Sequence, residues 1–199
     1  MARLEIQSQQ IRYFIGGGNC MERPFIIAIS SVSGGGKTTI TNNLCRQLNN
    51  AMALYFDEYD FPKQPDNICE WVENGSDSNA WDLSLLKEDI IEAIANKKCD
   101  YLILDYPFGR QAYPIKEFID LTIYINTPLD IALARRIIRD YNDSSTNDII
   151  NDLNFYIKKS RMCFTDQVEK MQSCDLIVDG SLNISEIVHI IKDNISQRT

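Results

Sequence analysis

A glycine-rich segment directly after a short apolar run constrains the fold of this chain most. The run Phe25–Ser30 is typical of a buried strand, and residues 31–38 then read Ser-Val-Ser-Gly-Gly-Gly-Lys-Thr. This is the G-x-x-x-x-G-K-[ST] pattern with Ser31 in place of its first glycine. Glycines let backbone N–H groups crowd around phosphate oxygens, and a helix beginning here adds its positive dipole end. The segment therefore predicts a phosphate-binding loop between a strand and a helix.

The polar residues of this loop predict a site for a nucleotide and a metal ion. Lys37 is expected to reach the β- and γ-phosphates of ATP, and the Thr38 hydroxyl to ligate Mg²⁺. The residues expected to hold the nucleotide are Ser33, Gly34, Gly35, Gly36, Lys37, Thr38 and Thr39. The alternative is a flexible glycine-rich turn with an incidental lysine.

Alternating strand and helix patterns over residues 24–199 predict one α/β domain. The predicted strands are 25–30, 51–56, 101–105, 121–125 and 175–178. Amphipathic segments between them predict helices, so we expect a five-stranded parallel sheet with helices on both faces, the P-loop NTPase fold. Residues 1–23 fit no such unit and are expected to form an N-terminal arm or an extra strand.

Three helical details follow from the same patterns. Thr127 is predicted to cap a helix whose first residue is Pro128. Apolar residues from 149 to 171 predict one long helix. The stretch 57–81 is too long for a structureless connection, so we expect a functional loop or a short helix there.

Two aspartates follow predicted strands, at the edge where parallel sheets bind ligands. Asp105 closes strand 101–105 and is predicted to hold Mg²⁺. Asp57 follows strand 51–56 and is predicted to take the proton of a hydroxyl group that attacks the transferred phosphoryl group, and to be a ligand of Mg²⁺. For both, the alternative is an aspartate that merely forms a turn.

Arginines cluster on one predicted helix. Arg135 and Arg139 share a face at i, i+4, with Ile137 and Ile138 expected towards the core. We expect this pair to stabilise charge on a transferring phosphoryl group and Arg136 to contact the nucleotide. The alternative is a helix C-terminus whose cations complement its dipole.

Further candidates for substrate contacts lie outside these motifs. Arg110 follows the third strand, and Arg161 borders the apolar stripe of the long predicted helix. Tyr59 belongs to an aromatic group with Phe61, Trp71 and Trp81 that either walls the substrate or packs the long loop. Residues 141–147, after the arginine helix, are expected to form a lid.

Composition excludes several classes of partner. The net charge of -8, from 20 basic and 28 acidic residues, opposes broad binding to nucleic acid or to anionic membrane. The apolar stretch 25–29 is far shorter than the about 20 residues of a membrane helix. Six cysteines without a C-x-x-C pair, and one histidine, argue against a zinc site. With no export signal visible, we expect a cytoplasmic protein with free thiols, and a homo-oligomer stays open.

The chain resembles the uridine kinase-like branch of the P-loop kinases over roughly residues 24–199. The resemblance lies in the phosphate loop and in segments 55–59 (Tyr-Phe-Asp-Glu-Tyr), 79–83 (Asn-Ala-Trp-Asp-Leu), 135–140 (Arg-Arg-Ile-Ile-Arg-Asp) and 156–179. It implies that Asp57 is the catalytic base. It also implies that Asn79 stands where the family has an acid that grips ribose hydroxyls. The family's base-reading hairpin finds no room here, because the helix 84–97 runs almost directly into strand 101–105.

Together these observations predict an ATP- and Mg²⁺-dependent kinase that phosphorylates a hydroxyl group of a small metabolite, with a nucleoside as one candidate. The alternative is a nucleotide-binding switch or ATPase-type protein without this activity, motivated by Ser31 and Asn79. A nucleoside monophosphate kinase ranks third, because the acceptor loop 57–82 contains no arginine. The expected partners are ATP and the small acceptor.

Overall fold

The computed structural model describes residues 23–199, which fold around a five-stranded parallel sheet. Its strands are β1 (Phe25–Ser30), β2 (Ala51–Tyr55), β3 (Tyr101–Asp105), β4 (Leu121–Asn126) and β5 (Leu176–Asp179). Their order is β2-β3-β1-β4-β5, and every neighbouring pair is parallel. The predicted sheet is therefore confirmed. The predicted N-terminal arm lies outside the described residues except for Arg23, which pairs with Asp120.

Seven α-helices connect or flank these strands in the described part of the chain. They are α1 (Lys37–Gln47), α2 (Ile68–Glu73), α3 (Ser84–Ala95), α4 (Leu129–Asp140), α5 (Thr146–Phe155), α6 (Arg161–Lys170) and α7 (Ile184–Ser196). The long stretch after β2 thus contains a short helix, α2, between two 3₁₀ turns at Phe56–Glu58 and Ser78–Ala80. Across residues 23–199, no helix has both the length and the apolar content that a membrane crossing needs.

Apolar side chains bury both faces of the sheet, because successive strand residues point to opposite sides. On one face, Ile26 and Leu102 belong to a cluster with Leu86 and Ile90 of α3. The residues of the other cluster, which joins the strands to α1 and α7, are Ile27, Ile29, Ile40, Leu44, Ile103, Leu121, Ile123, Ile125, Val178, Ile187, Val188, Ile191 and Ile195. Burial on both sides is the arrangement expected of a parallel sheet. It leaves the carboxyl ends of the strands as the open edge.

The structure corrects the prediction of one long helix over 149–171. The helical path is continuous from α5 to α6, but the residues Tyr156–Ser160 between them form a π turn. A π turn takes one residue more per turn than an α-helix, so the face counted from 149 onwards does not continue into α6. Ile157, expected in the apolar stripe, lies in this π turn and is 72% exposed.

Two further expectations about α4 were wrong. The helix begins at Leu129 with Pro128 as its N-cap, and the Thr127 hydroxyl instead donates to the Gly35 carbonyl oxygen at 2.8 Å. Ile138 is 71% exposed and faces away from the core. Thr127 therefore contributes a link to the phosphate loop in place of the predicted cap.

Candidate active site

The glycine-rich segment closes into a tight loop at the carboxyl end of β1. Gly34 and Gly36 have φ angles of 79° and 98°, in the left-handed region that favours glycine. A Cβ on Gly34 would lie 2.1 Å from the carbonyl oxygen of Ala132, so the loop backbone presses directly against α4. Ser31, which departs from the pattern, is buried and is not among the residues with positive φ. The serine therefore fits the loop without backbone strain.

A cleft of about 700 Å³ opens above this loop. Its lining residues come from five places in the chain: the loop with the start of α1, the turn after β2, the segment after β3, α4 and α6. Those of its lining residues that the sequence had singled out are Ser33, Gly34, Gly36, Lys37, Thr38, Thr39, Asp57, Arg135 and Arg139. The structure thus brings the loop, the predicted base and two predicted arginines to one site.

Lys37 stands at the floor of the cleft and is paired with Asp105. Its ammonium donates to a carboxylate oxygen of Asp105, whose side chain is 2% exposed. Asp105 ends β3 beside Ile29 of β1 and Tyr55 of β2, so three strand ends meet here. Burial lowers the pKa of Lys37 below its ordinary value, and the nearby Asp57 carboxylate partly opposes that effect. The loop cation and the acid at the end of β3 therefore form one unit.

Asp57 and Arg139 face the same space from opposite sides. Asp57 is an exposed residue of the 3₁₀ turn after β2. Arg139 lies near the end of α4, where its guanidinium bonds Asp140 at 2.6 Å and reaches the Ser33 hydroxyl at 3.5 Å. The Asp140 carboxylate is the main cause of a raised pKa for Arg139, and Asp57 adds to it. Charges of both signs are thus concentrated around the mouth of the loop.

The residues at this mouth fit a magnesium ion held together with phosphate. Mg²⁺ is bound in such sites by one or two carboxylates, substrate phosphates and water, so a dense group of protein ligands is not required. Residues 23–199 contain no cluster of three or more His, Cys, Asp or Glu side chains suited to a metal. The Thr38 hydroxyl and Asp57 line the cleft. These oxygen ligands, with Asp105 beside Lys37, are the kind that Mg²⁺ prefers.

Two arginines predicted to bind ligands, Arg136 and Arg110, lie outside the cleft lining and make ion pairs. Arg136 makes a bidentate ion pair with Asp152 of α5, in which one of the two contacts is 3.1 Å long. The hydrogen bond to Asp152 raises the pKa of the guanidinium. Arg110 donates to Asp175 at 2.6 Å and to the Asp120 carbonyl oxygen at 2.7 Å. These partners precede β5 and β4, so Arg110 lies at the amino ends of the strands, across the sheet from the cleft.

The structure likewise leaves Asn79, Tyr59 and Arg161 outside the cleft lining. The Asn79 amide accepts from the backbone N–H of Tyr113 at 2.9 Å and donates to Asp77 at 2.7 Å. The Tyr59 hydroxyl donates to Asp89 of α3 at 2.6 Å, and burial together with this carboxylate raises its pKa. Arg161 is exposed at the start of α6. The Asn79 and Tyr59 contacts hold the long loop in place.

The aromatic residues of the long loop form a packed cluster under it. Phe56 lies 4.5 Å from Phe61 and 5.2 Å from Trp81, measured between ring centroids. Trp71 and Trp81 also contact Phe108, at 5.9 and 5.7 Å. The sequence left open whether these aromatic residues wall the substrate or pack the long loop. In the structure most of them pack the loop.

Sequence reasoning missed Gln167, which contributes to the cleft from α6. Its side-chain amide donates to the Ser31 carbonyl oxygen at 2.9 Å and to the Pro107 carbonyl oxygen at 3.4 Å. The glutamine therefore connects α6 to the phosphate loop and to the segment after β3. No motif marks it, and the π turn changes the face on which it is presented.

Comparisons with known proteins agree with this geometry. The model of the "Phosphoribulokinase / Uridine kinase family" matches residues 77–183. A uridine kinase of Clostridium tetani (strain Massachusetts / E88) is 22% identical over 203 residues, which cover 88% of this chain and 96% of that protein. A uridine kinase of Staphylococcus haemolyticus (strain JCSC1435) is 26% identical over 191 residues, covering 82% and 91%.

A solved structure shows the same fold at lower identity. Shikimate kinase from Bacteroides thetaiotaomicron superposes with a TM-score of 0.50 and 16% sequence identity, covering 86% of this chain and 98% of that chain. At this identity, the likeness bears on the architecture alone. It agrees with the fold described above.

Proposed function

The chain belongs to the phosphoribulokinase/uridine kinase family, and we propose that it transfers the γ-phosphoryl group of ATP to a hydroxyl group of a small metabolite. We place this kinase domain at residues 24–199. The observation that supports the proposal most is the meeting of Lys37, Asp57 and Arg139 in one cleft above the glycine-rich loop. Phosphoryl transfer requires a cation that holds the phosphates, a carboxylate that takes the acceptor's proton, and a further cation that stabilises the charge of the transition state.

Each residue has a role that its position supports. Lys37 and the loop N–H groups hold the phosphates, and Asp57 accepts the acceptor's proton as the acceptor oxygen bonds to phosphorus and the bond to ADP breaks. Arg135 and Arg139 stabilise the negative charge that spreads over the phosphoryl oxygens. Mg²⁺, held by Thr38, Asp57 and Asp105, would neutralise charge on the β- and γ-phosphates.

The identity of the phosphoryl acceptor is less narrowly defined by these residues than that of the donor. The curated relatives are uridine kinases, but α3 of this chain ends at Ala95 and β3 begins at Tyr101. Five residues between them leave no space for a base-reading hairpin. Asn79, at the family's ribose-binding position, does not line the cleft, and its amide bonds Tyr113 and Asp77. We therefore propose a hydroxyl-bearing metabolite as acceptor, without assigning uridine.

The test is acceptor-dependent ADP formation with ATP and Mg²⁺ over a panel of nucleosides, vitamins and sugars. Asp57→Asn is expected to lower the rate by about 10²–10⁴-fold, because a positioned base contributes that much. Glu58→Gln is the matched control, since Glu58 is the next carboxylate in the same turn and does not line the cleft. Full activity of Asp57→Asn would refute the mechanism. ADP formation that no acceptor increases would favour the ATPase or switch alternative.

A further inference from the structure

Two carbonyl oxygens of the phosphate loop accept hydrogen bonds from side chains outside the loop. The Thr127 hydroxyl donates to the Gly35 carbonyl oxygen at 2.8 Å, and the Gln167 amide donates to the Ser31 carbonyl oxygen at 2.9 Å. Thr127 stands between β4 and α4, whereas Gln167 belongs to α6. Two distant parts of the chain therefore hold the loop, one at its first residue and one at Gly35.

The bond from Thr127 bears on the direction of a loop N–H group. The C=O and N–H groups of a planar trans peptide point in opposite directions. Because the Gly35 carbonyl oxygen is held by Thr127, the N–H of Gly36 points away from Thr127. No carbonyl oxygen of residues 23–199 accepts from this N–H, and Gly36 lines the cleft. It is thus available to a phosphate oxygen, which loops of this kind bind through backbone N–H groups.

The bond from Gln167 bears on the same part of the loop through Ser31. A Cβ on Gly35 would lie 2.8 Å from the Ser31 Cβ and 2.9 Å from its hydroxyl oxygen, so the loop folds back onto this side chain. The Gly35 N–H also donates to the Val32 carbonyl oxygen at 2.8 Å. A displacement of Ser31 would therefore displace Gly35, and with it the N–H of Gly36.

The same amide connects the loop to the strand that carries Asp105. Gln167 makes a second, longer contact of 3.4 Å with the Pro107 carbonyl oxygen. Pro107 follows Asp105 by two residues, and Asp105 is the partner of Lys37. One side chain from α6 therefore spans the two segments that form the floor of the cleft.

The helix that carries Gln167 is itself anchored on both sides of this residue. One position earlier, Asp166 accepts from the Ser76 hydroxyl at 2.6 Å. Three positions later, the Lys170 ammonium donates to the carbonyl oxygens of Gly75 and Ser76, each at 3.0 Å. These bonds fasten α6 to the turn that follows α2. The amide of Gln167 therefore has a defined position from which to hold the loop.

We propose that Gln167 is a positioning residue for the phosphates of the nucleotide. It holds the carbonyl oxygens of Ser31 and Pro107, which keeps the loop in the conformation that directs the Gly36 N–H into the cleft. It acts through the backbone and needs no contact with the nucleotide. This role rests on the nucleotide binding of the proposed function, and it does not depend on which molecule accepts the phosphoryl group.

The test measures nucleotide affinity by isothermal titration calorimetry with ADP and Mg²⁺, without an acceptor. Gln167→Met keeps the length of the side chain but has no donor, and it should raise the Kd about tenfold. Thr127→Val should raise the Kd in the same way. Gln111→Met is the matched control, because the Gln111 amide also bonds a backbone carbonyl oxygen, that of Lys170, but does not line the cleft. Its Kd should stay within about twofold of the unchanged protein.

Two further measurements separate positioning from a general loss of structure. Urea unfolding should give Gln167→Met and Gln111→Met similar stabilities. In NMR spectra, the shift of the Gly36 N–H on addition of ADP and Mg²⁺ should shrink in Gln167→Met and stay unchanged in Gln111→Met. If Gln167→Met does not fold, Gln167→Glu replaces it, since its carboxylate has the same shape and cannot donate. It should weaken binding by more than tenfold.

An unchanged Kd in Gln167→Met, or a loss that Gln111→Met shares, would overturn the positioning role and leave the proposed function standing. The kinase function is judged separately, by acceptor-dependent ADP formation. A protein that binds ADP and Mg²⁺ tightly, loses this affinity in Gln167→Met and phosphorylates no acceptor would keep the positioning role while the kinase function fails. If the unchanged protein binds no ADP, both the nucleotide site and the role of Gln167 are overturned.

Discussion

The ammonium of Lys37 is hydrogen-bonded to the buried carboxylate of Asp105, so that the loop cation and the acid at the end of β3 compensate each other's charge. The two residues differ in exposure: the Asp105 side chain is 2% exposed, and that of Lys37 is 13% exposed. Lys37 can reorient towards the cleft, while Asp105 is fixed under the loop by its strand.

This asymmetry predicts unequal costs for removing either partner. Lys37→Met leaves a buried carboxylate without its cation and should lower the free energy of unfolding by about 3 kcal/mol. Asp105→Asn should lower it by clearly less, because the lysine can turn to solvent. The double variant should recover most of the Lys37→Met loss. Urea unfolding measures all three, and equal losses in the two single variants would contradict the argument.

The pKa of Lys37 predicts opposite pH shifts for two neighbouring variants. Burial lowers this pKa, Asp57 raises it and Arg139 lowers it. Nucleotide binding that needs the protonated Lys37 should weaken as the pH rises through this pKa. Because the pKa is lowered, this loss of affinity should occur at a lower pH than for an ordinary lysine. Asp57→Asn should move this midpoint to lower pH and Arg139→Ala to higher pH. Titrating the affinity for an ATP analogue against pH checks both, and shifts of the same sign would contradict the prediction.

Two arginines of α4 should differ in what their removal affects: Arg136 the stability of the fold, and Arg139 the catalytic rate. Arg136→Ala removes the ion pair with Asp152 between α4 and α5 and should lower the free energy of unfolding by about 2 kcal/mol. Arg139→Ala should leave stability within about 0.5 kcal/mol, since its side chain is 61% exposed, but lower kcat by about 10²-fold. Unfolding and ADP assays on both variants provide the comparison. A stable Arg136→Ala with reduced activity would reverse these assignments.

Two glycines of the loop should respond differently to alanine. A Cβ on Gly34 meets the backbone of α4, whereas a Cβ on Gly36 meets nothing within 4 Å. Gly36→Ala should cost about 1 kcal/mol, for its left-handed conformation alone. Gly34→Ala should cost more than about 2 kcal/mol, because α4 must also move. Thermal or urea unfolding distinguishes them, and similar losses would mean that α4 yields to the added methyl group.

The sequence was sufficient for the parts of the fold that depend on short-range patterns. All five strands and the loop follow from apolar runs and from one contiguous motif. The positions of Thr127 and Arg136 did not follow. Thr127 is bonded to Gly35 and Arg136 to Asp152, and such contacts are decided by packing between distant segments.

The same division holds for the candidate site. Lys37, Asp57 and Arg139 were indicated by motif and strand position, and the structure brings them to one cleft. Asn79 and Tyr59 have the residue types of ligand contacts, but their polar atoms are taken by Tyr113 and Asp89. A sequence pattern shows which groups a chain carries, and the folded packing decides which of them are still available.

The π turn between α5 and α6 makes the direction of the α6 side chains depend on the number of residues in that turn. One residue corresponds to about 100° of rotation and 1.5 Å of advance along a helix. Deleting one residue from Tyr156–Ser160 would restore an ordinary helix and turn Gln167 and Lys170 away from their present partners. A chain that differs by one residue in this segment would therefore present another face of α6 to the phosphate loop, where Gln167 now donates to the Ser31 carbonyl oxygen. The length of this single turn thus decides which side chains of α6 reach the cleft.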